Sequence, residues 1–201
     1  MKMRLNKRVL KYKGHRVKVF EDEIITPENE KVYYDFVENR NGSGVLLVDP
    51  DGKLLFVKQY RNALDRYDIE MPAGCVEPGD FDEGVDYNFD GADPKYFESE
   101  ENPFYRCALR ESEEETGLIP GRLEFVNYII AAVGLFSERT AVYIGLDTKI
   151  GKENLDSDEF IDIIRLTPEE AMEYVKSGKI NDSKTIIAIQ YFYINYVKEK
   201  C

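Results

Sequence analysis

Four of the five residues 111–115 are glutamates, in the stretch CALRESEEETG that runs from Cys107 to Gly117. The surrounding residues predict a helix: Asn102 suits the N-cap, Pro103 the first helical position and Gly117 the C-terminal stop. Like charges four apart each cost a helix roughly 0.2–0.5 kcal/mol, and anions in the last turn oppose the macrodipole. At about 100° per residue, Phe104, Ala108, Glu111 and Glu115 share one stripe, with Glu114 on its shoulder and Glu113 opposite. A solvated acidic face would place the acids away from the apolar residues, and Glu113 alone fits that reading well. Carboxylates aligned with a buried stripe must be desolvated, protonated or matched by cations. Glu111, Glu114 and Glu115, at i, i+3 and i+4, can converge on hard divalent cations, which take oxygen ligands. Arg110 can orient one of them through a bidentate pair.

The rest of the chain reads mostly as strands. HRVKVFEDEI (15–24) and KVYYDFVEN (31–39) alternate around the turn PENE, and GVLLV (44–48) and KLLFVKQY (53–60) flank the hairpin signal DPDG. LEFVNYII (123–130), TAVYIGL (140–146) and EFIDIIRL (159–166) supply further strands. Thr167-Pro168-Glu169-Glu170 is a capping box for a short helix ending at Gly178. A last helix runs from about Ser183 to Glu199, with Asp182 as its cap. The order is not a regular βαβ alternation, so the expected class is an α/β (α+β) sandwich of mixed sheet and helices. It divides into an N-terminal sheet segment, 1–40, and a main domain, 41–201. NGSGV (41–45) lacks both the glycine spacing and the following helix of a dinucleotide fingerprint.

Charge and composition exclude several classes. With 39 acidic against 27 basic residues the net charge is −12, which argues against sequence-independent nucleic-acid binding. An anionic substrate needs local cations to approach such a chain. The longest uncharged apolar-rich run, YIIAAVGLF (128–136), is far short of a membrane span, and MKMRLNKRVL lacks the apolar core of a signal peptide. Three scattered cysteines without a CxxC point to a reducing cytoplasm. The single histidine, His15, argues against Ser–His, Cys–His and His-rich zinc chemistry, leaving carboxylates and arginines to act.

RESEEETGL (110–118) resembles the second half of the Nudix box, G-x5-E-x7-R-E-U-x-E-E-x-G-U. GCVEPGD (74–80) resembles the first half, with Gly74 in place and Asp80 where the first glutamate belongs. Twenty-nine residues separate Asp80 from Arg110 instead of seven, an insertion of about 22, placed at 81–101; Ser112 takes an aliphatic position. VKQYRNALDRYDIEMPAG (57–74), the N-terminal strands and INDSKT (180–185) are similar to the ADP-ribose pyrophosphatase branch.

The resemblance implies Mg²⁺, or Mn²⁺, held by Glu111, Glu114, Glu115 and the Ala73 carbonyl. It places Arg110 and Glu114 in the catalytic machinery and Arg61, Glu70 and Gly74 at the substrate. Glu138, in GLFSE (134–138), matches a catalytic glutamate on a mobile loop, although Val133 replaces the usual proline. Read without the family, Glu138 is equally a loop glutamate and Arg61 a surface ion-pair partner, while Glu70, between Ile69 and Met71, faces a polar cleft. The implied reaction is hydrolysis of the pyrophosphate bond of ADP-ribose or a related nucleoside diphosphate sugar. GDP-mannose is the nearest rival substrate, and a weakly catalytic ligand- or calcium-binding module the rival class. Val32, Tyr34 and Phe36 on a small sheet predict a homodimer. Residues 86–98, DYNFDGADPKYFE, approach a calcium-loop pattern with Glu98 one position late, and a solvated acidic loop is the preferred reading.

Overall fold

The computed structural model describes residues 2–81, 94–152 and 160–198. The chain forms two compact units, one of residues 1–41 with 130–139 and one of residues 42–129 with 140–201.

The first unit is a three-stranded antiparallel meander of β1 (Arg4–Lys13), β2 (Lys18–Ile25) and β3 (Lys31–Glu38). β2 and β3 pair without interruption from Lys18↔Glu38 to Ile25↔Lys31. β1 is the strand that periodicity does not reveal. Nearly all of it is exposed, and irregularities at Leu5/Lys7 and Leu10/Tyr12 break its alternation. Its cations meet an acidic partner instead: Arg8 forks onto Asp22 at 2.7 and 2.6 Å and Lys11 pairs with Glu21 at 2.9 Å. The Arg8 guanidinium also lies 3.9 Å from the centre of the Phe36 ring. The 130–139 segment is sewn to β3 by Val37 N–H to Leu135 O (2.9 Å) and Ser137 N–H to Val37 O (3.3 Å).

In the second unit, β4 (Gly42–Val48), β5 (Leu54–Arg61), β9 (Arg122–Ile129), β10 (Thr140–Leu146) and β12 (Ile161–Leu166) line up in the order β12-β5-β4-β10-β9. β4 and β10 run parallel, and the other neighbours are antiparallel. β6 (Arg66–Glu70) extends from β5, and the short β7 (Ala73–Cys75) pairs with β4. A minor pair, β8 (Leu118–Ile119) with β11 (Lys149–Ile150), is too short for a periodicity to mark. The helices are α1 (Pro103–Thr116), α2 (Pro168–Lys176) and α3 (Ser183–Phe192). Alternate residues of the central strands feed two cores. Val45, Leu47 and Tyr143 pack with Phe104, Cys107 and Ala108 of α1, while Leu46, Val142 and Ile144 pack with Ala171, Ala188 and Ile189 of α2 and α3. This is the expected sandwich.

Local signals hold in detail. Asp49 Oδ1 accepts from the amides of Asp51 and Lys53 at 2.9 Å each, and Gly52 takes φ 79°, closing the DPDG turn. The Thr167–Glu170 capping box forms, and Asp182 caps α3. The last helix is not uniform: α3 ends at Phe192 and a π-helical turn, Tyr193–Val197, continues it.

Most of the calcium-like pattern, 86–93, lies outside the described residues. Its last member, Glu98, accepts from Phe125 N–H at 3.3 Å. Next to it Phe97, 1% exposed, stacks on Phe125 with ring centres 4.5 Å apart, and the Phe97 carbonyl accepts from Tyr143 Oη at 2.9 Å. Among the described residues no helix is long and apolar enough to cross a membrane.

Candidate active site

The N-cap Asn102 accepts from Phe104 N–H at 2.9 Å, and Gly117, at φ 67°, donates to Glu113 O at 2.8 Å. Between these caps Glu111 and Glu115 are buried in line with Phe104 and Ala108, as the stripe predicts, while Glu113 and Glu114 are half-buried. Ser112 is fully buried at the position where the Nudix pattern has an aliphatic residue. Its hydroxyl donates to Ala108 O at 2.6 Å, so it needs no partner outside its own helix.

Arg110 organises the carboxylates. Nη1 donates to Glu111 Oε1 at 2.8 Å and Glu114 Oε2 at 2.9 Å, and Nη2 to Asp80 Oδ2 at 3.2 Å and the Cys75 carbonyl at 3.0 Å. Asp80 is itself buried and accepts from Glu77 N–H at 2.8 Å. The 29-residue separation in sequence thus closes in space, through the aspartate that stands in for the first glutamate. Burial alone would lower the Arg110 pKa, but Asp80 and Glu111 outweigh it and raise it, so the group is a permanent cation. Burial and the nearby Glu111 push the Cys107 thiol up, which keeps it an unreactive packing residue.

Gly74 and Ala73 complete the arrangement. A Cβ at position 74 would fall 1.9 Å from Glu111 Oε1, so only glycine lets that carboxylate lie against the strand. Glu115, 2% exposed, accepts from Ala73 N–H at 3.0 Å. Among the described residues no three carboxylate, thiol or imidazole groups already surround one point as a cation site. Glu111 and Glu114 turn toward Arg110 instead. The donor chemistry still fits a hard divalent cation: Asp80, Glu111 and Glu114 are three carboxylates gathered around one arginine, and Glu115 on the same helix is bound by the Ala73 backbone.

A second polar cluster joins β5, β6 and α3. Arg61 clasps Glu70 through Nε (2.5 Å) and Nη2 (3.0 Å), and Lys184 Nζ reaches Glu70 Oε2 at 2.6 Å and Asp182 Oδ2 at 3.0 Å. Burial raises the Glu70 pKa, yet Arg61 and Lys184 together bring it below the ordinary glutamate value. Lys184 is the functional-site neighbour that sequence reasoning missed. Its motif, INDSKT, was legible, but nothing in it tells that Lys184 meets a residue 114 positions earlier. Glu138 belongs to the first unit, where Asn39 Nδ2 donates to its Oε2.

A capped acidic helix whose arginine grips the preceding glycine-containing loop, set in a mixed sheet between helices, defines a pyrophosphohydrolase class: the chain belongs to the Nudix hydrolase superfamily. It is 32% identical over 182 residues to a methanol dehydrogenase activator of Bacillus methanolicus, spanning 90% of this chain and 86% of that one. Over the same shares it is 29% identical to an ADP-ribose pyrophosphatase of Bacillus subtilis (strain 168). A GDP-mannose pyrophosphatase of Enterobacter sp. (strain 638) matches at 30% over 92 residues, 44% of this chain and 48% of that one. No family model matches the chain. The fold is shared with the crystal structure of an ADP compounds hydrolase, at a TM-score of 0.79 and 16% identity, covering 100% of this chain and 96% of that one.

Proposed function

We propose that this protein hydrolyses the pyrophosphate bond of ADP-ribose, giving AMP and ribose 5-phosphate, and that it needs Mg²⁺ or Mn²⁺ to do so. The observation that carries the reading is the gathering of three carboxylates, Asp80, Glu111 and Glu114, on the single guanidinium of Arg110, with Glu115 buried on the same helix. Glu111, Glu114, Glu115 and the Ala73 carbonyl are the proposed cation holders. When bound, a divalent cation neutralises phosphate oxygens and makes water a nucleophile near neutral pH. The chain's own residues do the rest. Arg110 fixes Glu111 and Glu114, Gly74 admits Glu111 against the strand, and Arg61 offers a guanidinium to the anionic substrate. Glu138 is the proposed proton acceptor, oriented by Asn39.

Exposed apolar side chains on the meander, Leu5, Leu10, Tyr12, Tyr33 and Tyr34, support a homodimer. Cys75 and Cys107, neither of them in a disulfide, suit a reducing cytoplasm. Hydrolysis of ADP-ribose, GDP-mannose and NADH, each with Mg²⁺ and with EDTA, tests the reading. AMP released from ADP-ribose and abolished by EDTA is the expected result. Preference for GDP-mannose would move the substrate, and no turnover of any would leave a binding module.

A further inference from the structure

The chain spends a half-buried lysine on a carboxylate that an arginine already satisfies. Glu70 has both oxygens clasped by Arg61, and Lys184 nonetheless adds a third bond at 2.6 Å. A carboxylate held this way accepts from two cations and is kept in its charged form. What the extra bond fixes is geometry. Lys184 sits two residues beyond the N-cap Asp182, whose Oδ2 accepts from Thr185 Oγ at 2.6 Å and from Lys184 at 3.0 Å. Thr185 Oγ in turn accepts from Met71 N–H at 2.9 Å. The first turn of α3 therefore grips residues 70 and 71 by side chain and backbone, immediately before Pro72, Ala73 and Gly74.

The consequence falls on Arg61. Its Nε and Nη2 are committed to Glu70, and among the described residues Nη1 has no hydrogen-bond partner. An arginine clasped on one edge presents its other edge in a fixed direction, whereas a free one would lose rotamer entropy on binding. We propose that Lys184 is a positioning residue for substrate binding, which sets the pose of Glu70 and through it aims the outer edge of Arg61 at a phosphate of the nucleotide. This rests on the reading of the protein as a nucleoside diphosphate sugar hydrolase. Burial opposes the charge on Lys184, but Asp182 and Glu70 outweigh it, so the ammonium that the geometry needs is present.

The test pairs kinetics with a readout that needs no turnover. Lys184→Met should raise KM for ADP-ribose about tenfold with kcat within about twofold, and Lys184→Arg should recover most of the loss. Added to Arg61→Met, the lysine change should raise KM no further, because it acts only through that arginine. In the protein without substrate or metal, the Arg61 Nε–H resonance, assigned by its loss in Arg61→Lys, should be protected from solvent exchange in the wild type and in Lys184→Arg, and exchange-broadened in Lys184→Met. Should Lys184→Met not fold, Lys184→Gln serves as the neutral variant. An unchanged Nε–H signal, an unmoved KM, or additive effects in the double variant would overturn the proposal. Failure of the wild type to cleave any nucleoside diphosphate sugar would instead sink the functional reading, with the Nε–H signal still deciding the role of Lys184.

Discussion

Two arginines of the second unit hold glutamates, and their surroundings are opposite. Arg61 and Lys184 pair with Glu70 and Asp182, two cations with two anions, and the charge of Glu115 also reaches Arg61. Arg110 pairs with three carboxylates, Asp80, Glu111 and Glu114. The first cluster matches its cations to its hydrogen-bonded anions, and on the proposed reading its value lies in rigidity. The second sets three carboxylates on one cation, an arrangement that a bound divalent cation would complete on the proposed reading. On the proposed reading, the ratio of carboxylates to cations marks the positioning network off from the proposed reaction centre.

The strongest way to break that contrast is Glu115→Gln. It keeps the acceptor for Ala73 N–H and removes one charge, so kcat/KM should fall on the order of 10³-fold while the fold survives. A loss under tenfold in a steady-state assay would mean that the gathering of carboxylates is incidental. Gly74→Ala comes next. The added methyl collides with Glu111, and such overpacking costs about 1–3 kcal/mol, read as a lower urea midpoint together with lost activity.

Glu70→Gln sharpens the other side. Its pKa is lower in the folded state than the ordinary 4.5, so the stability it contributes is present above that value and is lost as pH falls from there through the folded one. Wild-type urea midpoints should drop along that acid limb, and Glu70→Gln should flatten the drop. An equal slope in both proteins would mean that the pair with Arg61 and Lys184 contributes nothing. The smallest effect is expected at Asn102→Ala, where loss of the cap should cost about 1 kcal/mol without changing KM.

How much of this could be read from the chain depended on how local each signal was. The α1 helix was legible to its last residue because its caps, its period and its stop lie within sixteen positions. β10 was legible because both faces of a covered strand are apolar. β1 was not, since an exposed strand carrying irregularities has no period to detect. At the site, Glu111 and Glu115 announced themselves by standing on an apolar stripe, and Arg110 by adjacency. Lys184 and the clasp between Arg61 and Glu70 arise from three elements meeting, which no window of sequence contains.

The bond from Arg110 to Asp80 carries a lesson about how such a motif can be inherited. Closing a longer loop between two fixed anchors costs only about 0.6 kcal/mol for each doubling of its length. Asp80 tied to the helix on one side and Phe97 set in the core on the other are the fixed points between which most of the inserted residues fall. A signature written as a string of fixed spacing loses this protein at its first gap. The same signature written as a contact between an arginine and an acid survives, because Arg110 and Asp80 still meet.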